Sequence, residues 1–544
     1  MARNEREKKK VTILLNRFST LATQRRVWEH HWQDIADYIV PRKADITRRR
    51  TDGEKRTEKI FDGTAIHSAE LLTASLHGML TSASMPWFSL RFTDPMLDGD
   101  DMAKEWLENT TEKMYNAFAR SNFQEQVHEM YADLVAFGTA VMFVDKDDVS
   151  QLRFSTRHIA ECFLAEDAHG RVDTVVRKYK MSGRDARSLW GKDIGPTLVP
   201  RVKENPYEMI ELLHVVQPRD EYDPGISDNL NMRFMSCHID PENKWLIAES
   251  GFDEFPYVAP RFLKASFEQG YGRSPAMTAL ADVKMLQEMS KTTIKSAQKQ
   301  VDPPLLVPDD GFVLPVRVTP GGLNFYRSGT RDRIEPLMTG ANTPLGLAIE
   351  NQRREAIRQA FYVDQLMLRE SPNMTATEVI ARNEEKMRLL GPVLGRLQAE
   401  MLQPLITRCF NLLAKQKIFE PAPDYLQAGN IDIEYVSPLA KAQRQGELNS
   451  TMRMFEILNP LAQLDPGIFD YIDMDGLVKF ITRTIGVPAS VLRAEGEVTS
   501  MREARAEQQA QQAQLDQASQ VADAAGAAAP ALKAVGGLQQ GPQR

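Results

Sequence analysis

Apolar positions along the chain change their period twice. Through the first 133 residues they recur every three or four positions, the spacing of helices with one buried face. From Ala140 to about Leu263 they fall into short alternating runs, and beyond Ser274 the helical period returns. Val11 to Tyr38 carries the first helical stripe, with Trp28 and Trp32 four apart, and Pro41 ends it. A charged, Gly-punctuated loop follows, then helical patterns over Thr64 to Leu80 and over residues 101 to 133. In the alternating region, FLAEDAHGRVDTVVRKYK places two β-rich runs around a D-A-H-G turn, and NMRFMSCHIDPENKWLIAES repeats the arrangement around D-P-E-N. These runs predict an antiparallel meander framed by helices, an α+β chain.

The stretch SPAMTALADVKMLQEMSKTTIKSAQKQVDPP, from Ser274 to Pro304, reads as one rod. Ser274 is a good N-cap, Pro275 takes the first helical position, where its missing N–H costs nothing, and Asp302-Pro303-Pro304 stops the helix. At about 100° per residue, Leu280, Val283, Leu286, Met289, Ile294 and Ala297 share about half the circumference. Lys284, Lys291, Lys295 and Lys299 share a narrower arc facing away, so one side is for packing and the other stays wet or meets anions. Residues 301 to 340, rich in Pro and Gly with short extended runs, suit a compact β-containing module. A second helical stretch from Leu345 to about Gln365 completes a protruding hairpin with a knob at its far end.

Pro372 interrupts the pattern, and Thr375 with Glu378 makes a capping box that restarts a helix, holding Leu366 to Thr375 as a loop between two helices. Helical spacing continues through Leu390, Leu394, Leu397, Met401, Leu405 and Phe410, with bends expected near Gly391-Pro392 and Pro404. Asn430 to Val436 reads as a strand and residues 438 to 510 as helices. The tail from Gln508 is Ala/Gln-rich, and past Gly526 its composition predicts disorder.

With 544 residues and 42 % hydrophobic content, the chain can build more than one core. Its 67 basic and 74 acidic residues leave a net charge of -7, so any contact with phosphates has to be local. The cluster Arg48, Arg49, Arg50, Lys55 and Arg56 is interleaved with Asp52, Glu54 and Glu58, a solvated loop more than a phosphate site. Cys162, Cys237 and Cys409 lie far apart, which argues against a disulfide framework or zinc knuckle and for a reducing, cytosolic site of synthesis. The longest apolar run, Leu134 to Val144, is too short for the ~20 residues of a membrane span, and VTILLNRF is too interrupted for a signal peptide.

Enzyme motifs are missing. Gly191-Lys192 has Ala186 and Asp193 where a P-loop needs glycine and a hydroxyl, there is no H-E-x-x-H, and no G-x-S-x-G occurs. Asp473-Met474-Asp475-Gly476 resembles part of a calcium loop, but Tyr471 and Thr482 occupy its first and twelfth positions, so it reads as a helix-capping turn. Nothing here argues for an enzyme, a metal or a cofactor.

YGRSPAMTALADVKMLQEMSKTTIKSAQKQVDPPLLVPDDG, PGGLNFYR and NMTATEVIARNEEKMRLLGPVLGRLQAEMLQPLI resemble the head-to-tail connecting, or portal, proteins of short-tailed bacteriophages. The likeness extends to ELLTASLHGMLTSASMPWFSL, VSPLAKAQR and GVPASVLRAEGEVTSMREAR, and so covers most of the chain. It implies a ring subunit, usually in a dodecamer, at one capsid vertex of the virion. Such a ring passes double-stranded DNA, docks the terminase large subunit and then tail adaptor proteins, and meets capsid and scaffolding proteins. By the same resemblance, residues 1–264 are a mixed α/β wing, 265–300 and 345–365 the two stem helices and 301–344 the clip. Residues 366–375 are the tunnel loop, 376–436 a return to the wing, 437–510 a helical crown and 511–544 the tail. Two alternatives remain: another virion ring or tail adaptor, or an unrelated cytosolic scaffold or enzyme.

Residues follow from this scheme. Lys284, Lys291, Lys295 and Lys299 on the stem, with Met367, Leu368, Arg369 and Met374 in the loop, are candidates for touching a moving duplex without reading its sequence. Phe312, Arg317, Phe325, Tyr326, Arg327, Arg331 and Arg333 in the clip have the aromatic and arginine content of a partner interface. The same aromatics also suit the clip's own core or subunit contacts.

Overall fold

A computed structural model describes residues 2–48, 51, 53–92, 101–223, 225, 226, 228–307, 323, 325, 329, 334–337, 343–366, 390–423, 431–435, 448, 450–458, 460, 472–485 and 497–512. Helices and antiparallel strands both contribute, the expected α+β class. The chain forms two compact units, residues 1–90, 110–421 and 433–443 in one and 91–109, 422–432 and 444–544 in the other.

The first unit opens with α1 (Ala2–Tyr38) and α2 (Thr64–Leu80), the first of which takes in the basic N-terminal run that sequence spacing leaves out. The third helical pattern is two helices, α3 (Asp101–Arg120) and α4 (Phe123–Phe137). Asn122 bridges the break between them to a strand, exchanging side-chain hydrogen bonds of 2.8 and 3.0 Å with the Phe154 backbone. After the short strand β1 (Phe88–Phe92), strands β2 (Val141–Asp147) and β3 (Gln151–Arg157) form a small sheet completed by β9 (Tyr257–Val258).

Between them lies a five-stranded antiparallel meander, β4 (Cys162–Glu166), β5 (Val172–Ser182), β6 (Met209–Pro218), β7 (Phe234–Asp240) and β8 (Trp245–Phe252). Both predicted hairpins are present, β4 with β5 and β7 with β8. Because side chains alternate across a strand, neighbours serve opposite cores. Leu213 packs with Val11, Leu14 and Leu21 of α1, while Leu212 packs with Ala186, Leu198 and Val202. Those last three residues belong to a segment carrying α5 (Gly183–Trp190) and α6 (Leu198–Glu204), an insertion in the meander that alternation alone does not announce.

Next comes α7 (Pro275–Val301), then α8 (Thr343–Ala360) and the short α9 (Val363–Leu366). The expected helix to Gln365 is therefore broken after Ala360, where Tyr362 turns to φ 58°. Leu305–Leu306 pairs antiparallel with Glu335–Pro336, and the Leu337 N–H donates to Pro304 O at 2.8 Å, so the ends of the segment joining α7 to α8 are tied together. Residues 390–397 are helical through Pro392, and the irregularity expected near Pro404 is a π-helical turn, Gln398–Leu402, leading into α10 (Gln403–Lys415). Pro404 cannot donate to the carbonyl four residues earlier, which favours the wider turn.

In the second unit, α11 (Met474–Ile485) starts at a turn where Asp473 Oδ1 accepts from the N–H groups of Asp475 and Gly476, the capping role read from the sequence. Arg502, on the helix over residues 497–512, pairs with Asp475 at 2.6 Å.

Candidate functional site

The root of the α7–α8 hairpin is held by a cap, a close backbone approach and a buried amide. Ser274 Oγ accepts from the Met277 N–H at 3.0 Å and donates to Ala136 O at 2.7 Å, so the cap also fastens α7 to the end of α4. Beside it two glycines let backbones touch: a Cβ on Gly138 would lie 2.5 Å from Gly272 O, and one on Gly272 would lie 2.6 Å from Gly138 O. Gly138 also sits at φ 74°, the left-handed helix stop that glycine tolerates best.

Further along α7, Gln287 is 2 % exposed and spends its whole amide on one turn. Its Oε1 accepts from the N–H groups of Phe61 and Asp62 at 2.6 and 2.9 Å, and its Nε2 donates to Asp62 O at 2.8 Å. Asp62 in turn caps α2 through the Thr64 N–H and accepts from Arg354 Nε at 2.8 Å. Burial pushes the Asp62 carboxyl up, but the Thr64 donors and the Arg354 guanidinium outweigh it and hold the group below its ordinary value. Arg353 pairs with Asp282 at 2.8 Å. The buried Glu350 takes the Thr293 hydroxyl at 2.5 Å and Arg354 at 3.0 Å. The hairpin is thus bolted by ionic and amide contacts to the loop before α2.

Beyond this root the rod is bare. Ala276, Ala279, Leu280, Val283, Leu286 and Ser290 are buried, but no residue from Lys291 to Val301 is. Ile294, Val301 and Leu347 remain exposed, at 45, 87 and 45 %. The apolar arc read from the sequence is therefore covered only over its first half, and Ile294 and Ala297 are open.

The four stem lysines separate. Lys284 pairs with Asp34 of α1 at 2.7 Å and lies over the Tyr38 ring, and Lys291 lies over the Phe61 ring with Glu288 at 3.4 Å. Lys295 and Lys299 are exposed and have no ion pair among the described residues. Phe325 is described and 70 % exposed. Met367, Leu368, Arg369, Met374, Phe312, Arg317, Tyr326, Arg327, Arg331 and Arg333 lie outside the described residues, as do Pro372 and the Thr375–Glu378 box.

One feature escapes sequence reasoning. Arg261, 2 % exposed, meets Glu166 and both oxygens of Glu400, and Lys264 pairs with Glu166 and Arg396 with Glu400 at 2.7 and 3.0 Å. Glu400 stands on the π-helical turn, so the only sequence signal is an acid four residues before Pro404 in an otherwise apolar periodicity. Among the described residues no cluster of His, Cys, Asp and Glu could hold a metal, and no helix is long and apolar enough to cross a membrane.

Residues 12–492 match the bacteriophage head to tail connecting protein family. The chain belongs to that family. As a head to tail connecting protein it is a structural component of the phage particle, not an enzyme. It is 33 % identical over 520 residues to a portal protein of Salmonella phage epsilon15, covering 93 % of this chain and 92 % of that one. It is 32 % identical over 510 residues to a protein described as a probable portal protein of Bordetella phage BPP-1, covering 91 % of each. A portal protein of Enterobacteria phage T3 is 22 % identical over 404 residues, 72 % of each chain. Among solved structures, a chain from the neck of an empty gene transfer agent particle aligns with TM-score 0.35 and 10 % identity over 73 % of this head to tail connecting protein and 90 % of that chain.

Proposed function

We propose that the chain forms a closed ring, a dodecamer in the family's usual pattern, at one vertex of the capsid. Double-stranded DNA passes through that ring during packaging and ejection. The observation that carries this reading is the α7–α8 hairpin: a rod anchored at its root, with Ile294, Val301 and Leu347 uncovered along its outer half, needs neighbours to bury it. Heterologous contacts that close supply such neighbours. Within the ring residues 1–264 serve as wing, the hairpin as stem and residues 301–344 as clip. Residues 366–375 form the loop facing the channel, and the helices of 437–510 form the crown.

The clip, with Phe325 and its arginines, docks the terminase large subunit and later the tail adaptors, while the wing meets capsid and scaffolding proteins. The chain is made in the host cytoplasm and ends in the virion. Of the stem lysines, Lys295 and Lys299 are the ones available for DNA, since Lys284 and Lys291 are engaged inside the subunit. Few free cations suit a conduit, because each tight phosphate contact raises the barrier to sliding.

Shortening the 366–375 loop by a few residues tests the conduit. Rings should assemble with unchanged thermal stability while packaged DNA is lost. Full DNA content in particles built with the shortened chain would contradict the assignment.

A further inference from the structure

The α7–α8 hairpin is mounted on the first unit at two points. We propose that the second of them, where Gln287 and Arg354 hold the turn at Phe61–Asp62, sets the direction of the hairpin and through it the number of subunits in the ring. The inference rests on the ring reading and names the positioning residues that fix ring size.

The first mount is the Ser274 hydroxyl on Ala136 O, at the C-terminal end of α4. The second is the turn that opens α2, held by Gln287 thirteen residues further along the rod, roughly 20 Å at 1.5 Å per residue. Both mounts stand on one base, because α2 is bonded to α4 through His77 with Gln124 at 2.7 Å and Thr81 with Tyr131 at 3.3 Å.

Asp62 is the residue that both helices of the hairpin share. Helix α7 takes its N–H and its carbonyl through the Gln287 amide, and α8 takes Oδ2 through Arg354 Nε at 2.8 Å. Its Oδ1 accepts from the Thr64 N–H at 2.8 Å, so each of its polar groups is engaged. The hairpin itself moves as one body, since Arg353 pairs with Asp282 at 2.8 Å and the Thr293 hydroxyl donates to Glu350 at 2.5 Å. Arg354 also meets Glu350 at 3.0 Å, which joins the bridge between the helices to the mount.

The lever is sensitive. A slip of ~1 Å at Gln287 over this base pivots the rod by about 3° and carries Val301, at its end, about 2 Å sideways. In a closed ring each interface turns through the full circle divided by the subunit number, about 30° for twelve subunits and about 28° for thirteen. The hairpin, with Ile294, Val301 and Leu347 uncovered, lies in that interface. The slack of one hydrogen bond is therefore as large as the step from one ring size to the next. Apolar faces slide over one another, whereas a buried polar network with every member satisfied holds a single arrangement.

The test is native mass spectrometry of the purified full-length protein, with thermal melts reporting subunit folding. Wild-type rings should show one mass. Gln287→Met, which keeps the volume and removes all three bonds to the turn, should spread the rings over at least two masses separated by one subunit of 61.5 kDa. Arg354→Met, at a partly exposed position, should do the same and decides the matter if Gln287→Met does not fold. A merely structural role would lower the melting temperature and leave the mass of assembled rings where it was. Variant rings of the wild-type mass therefore overturn the proposal and leave the ring reading standing, as does a wild type already spread over several masses. Folded variants that form no rings show that the mount serves closure and not ring size, and overturn it too. Wild-type protein that remains monomeric overturns the ring reading and this inference with it.

Discussion

Glu400 accepts from both Nε and Nη2 of Arg261, at 2.9 and 2.8 Å, across 139 residues of sequence. The guanidinium is almost fully buried, so deleting Glu400 takes three hydrogen bonds from Arg261 and leaves the buried cation with Glu166 and the Gly170 carbonyl. Glu400→Ala should lower unfolding stability by about 3–5 kcal/mol, and Glu400→Gln, which keeps the shape and part of the bonding, by less. Denaturant midpoints of the two variants check the order. Equal midpoints for Glu400→Ala and wild type would show the pair to be dispensable.

A methyl group at the α4–α7 junction should be far more damaging than one on α2. Gly138→Ala combines a left-handed backbone with a clash against Gly272 O, an expected loss of ~2–5 kcal/mol. Gly78, exposed inside α2, has nothing within 4 Å of its would-be Cβ, so Gly78→Ala should stabilise by about 0.5–1 kcal/mol. Melting curves of the two variants, moving in opposite directions, check both statements.

The helix starts and hairpin turns were legible because their causes are local. Ser274 and Pro275 fix where α7 begins, and the D-A-H-G and D-P-E-N turns fix two strand pairs, within a few residues of the atoms they control. What each face meets depends on partners far away in sequence. Lys284 belongs to the polar arc of α7 by spacing, yet Asp34, 250 residues earlier, decides that it is tied to α1. Gln287 reads as one more polar position on the rod, and only the fold brings Phe61 and Asp62 to it. The stop at Ala360 escaped notice for a related reason, since Tyr362 at positive φ carries no glycine to announce it.

Stability should also fall on mild acidification. His214 and His238 stack face to face on paired strands, centroids 4.2 Å apart and planes 3° apart, with His214 bonded to Tyr257 and Ser236. Burial, aided by Arg177, lowers His238 from 6.5 to about 4, and burial with His238, Arg177 and Arg157 nearby lowers His214 well below 6.5. The unfolded rings therefore bind more protons than the folded ones below pH 6.5. Their contribution is intact above that value and is lost as pH falls toward 4, on the order of 3 kcal/mol for His238. Melting temperature measured from pH 7 to pH 4 should decline through this window, and a variant with both histidines changed to glutamine should show a flatter profile.

In the proposed closed ring the α7–α8 hairpins surround a channel. Electron microscopy of the purified full-length protein tests it most directly. Rings of one subunit number are expected, with a central hole wide enough for a duplex and Lys295 and Lys299 facing that hole. Isolated monomers, open filaments, or rings with both lysines on the outer wall would contradict it.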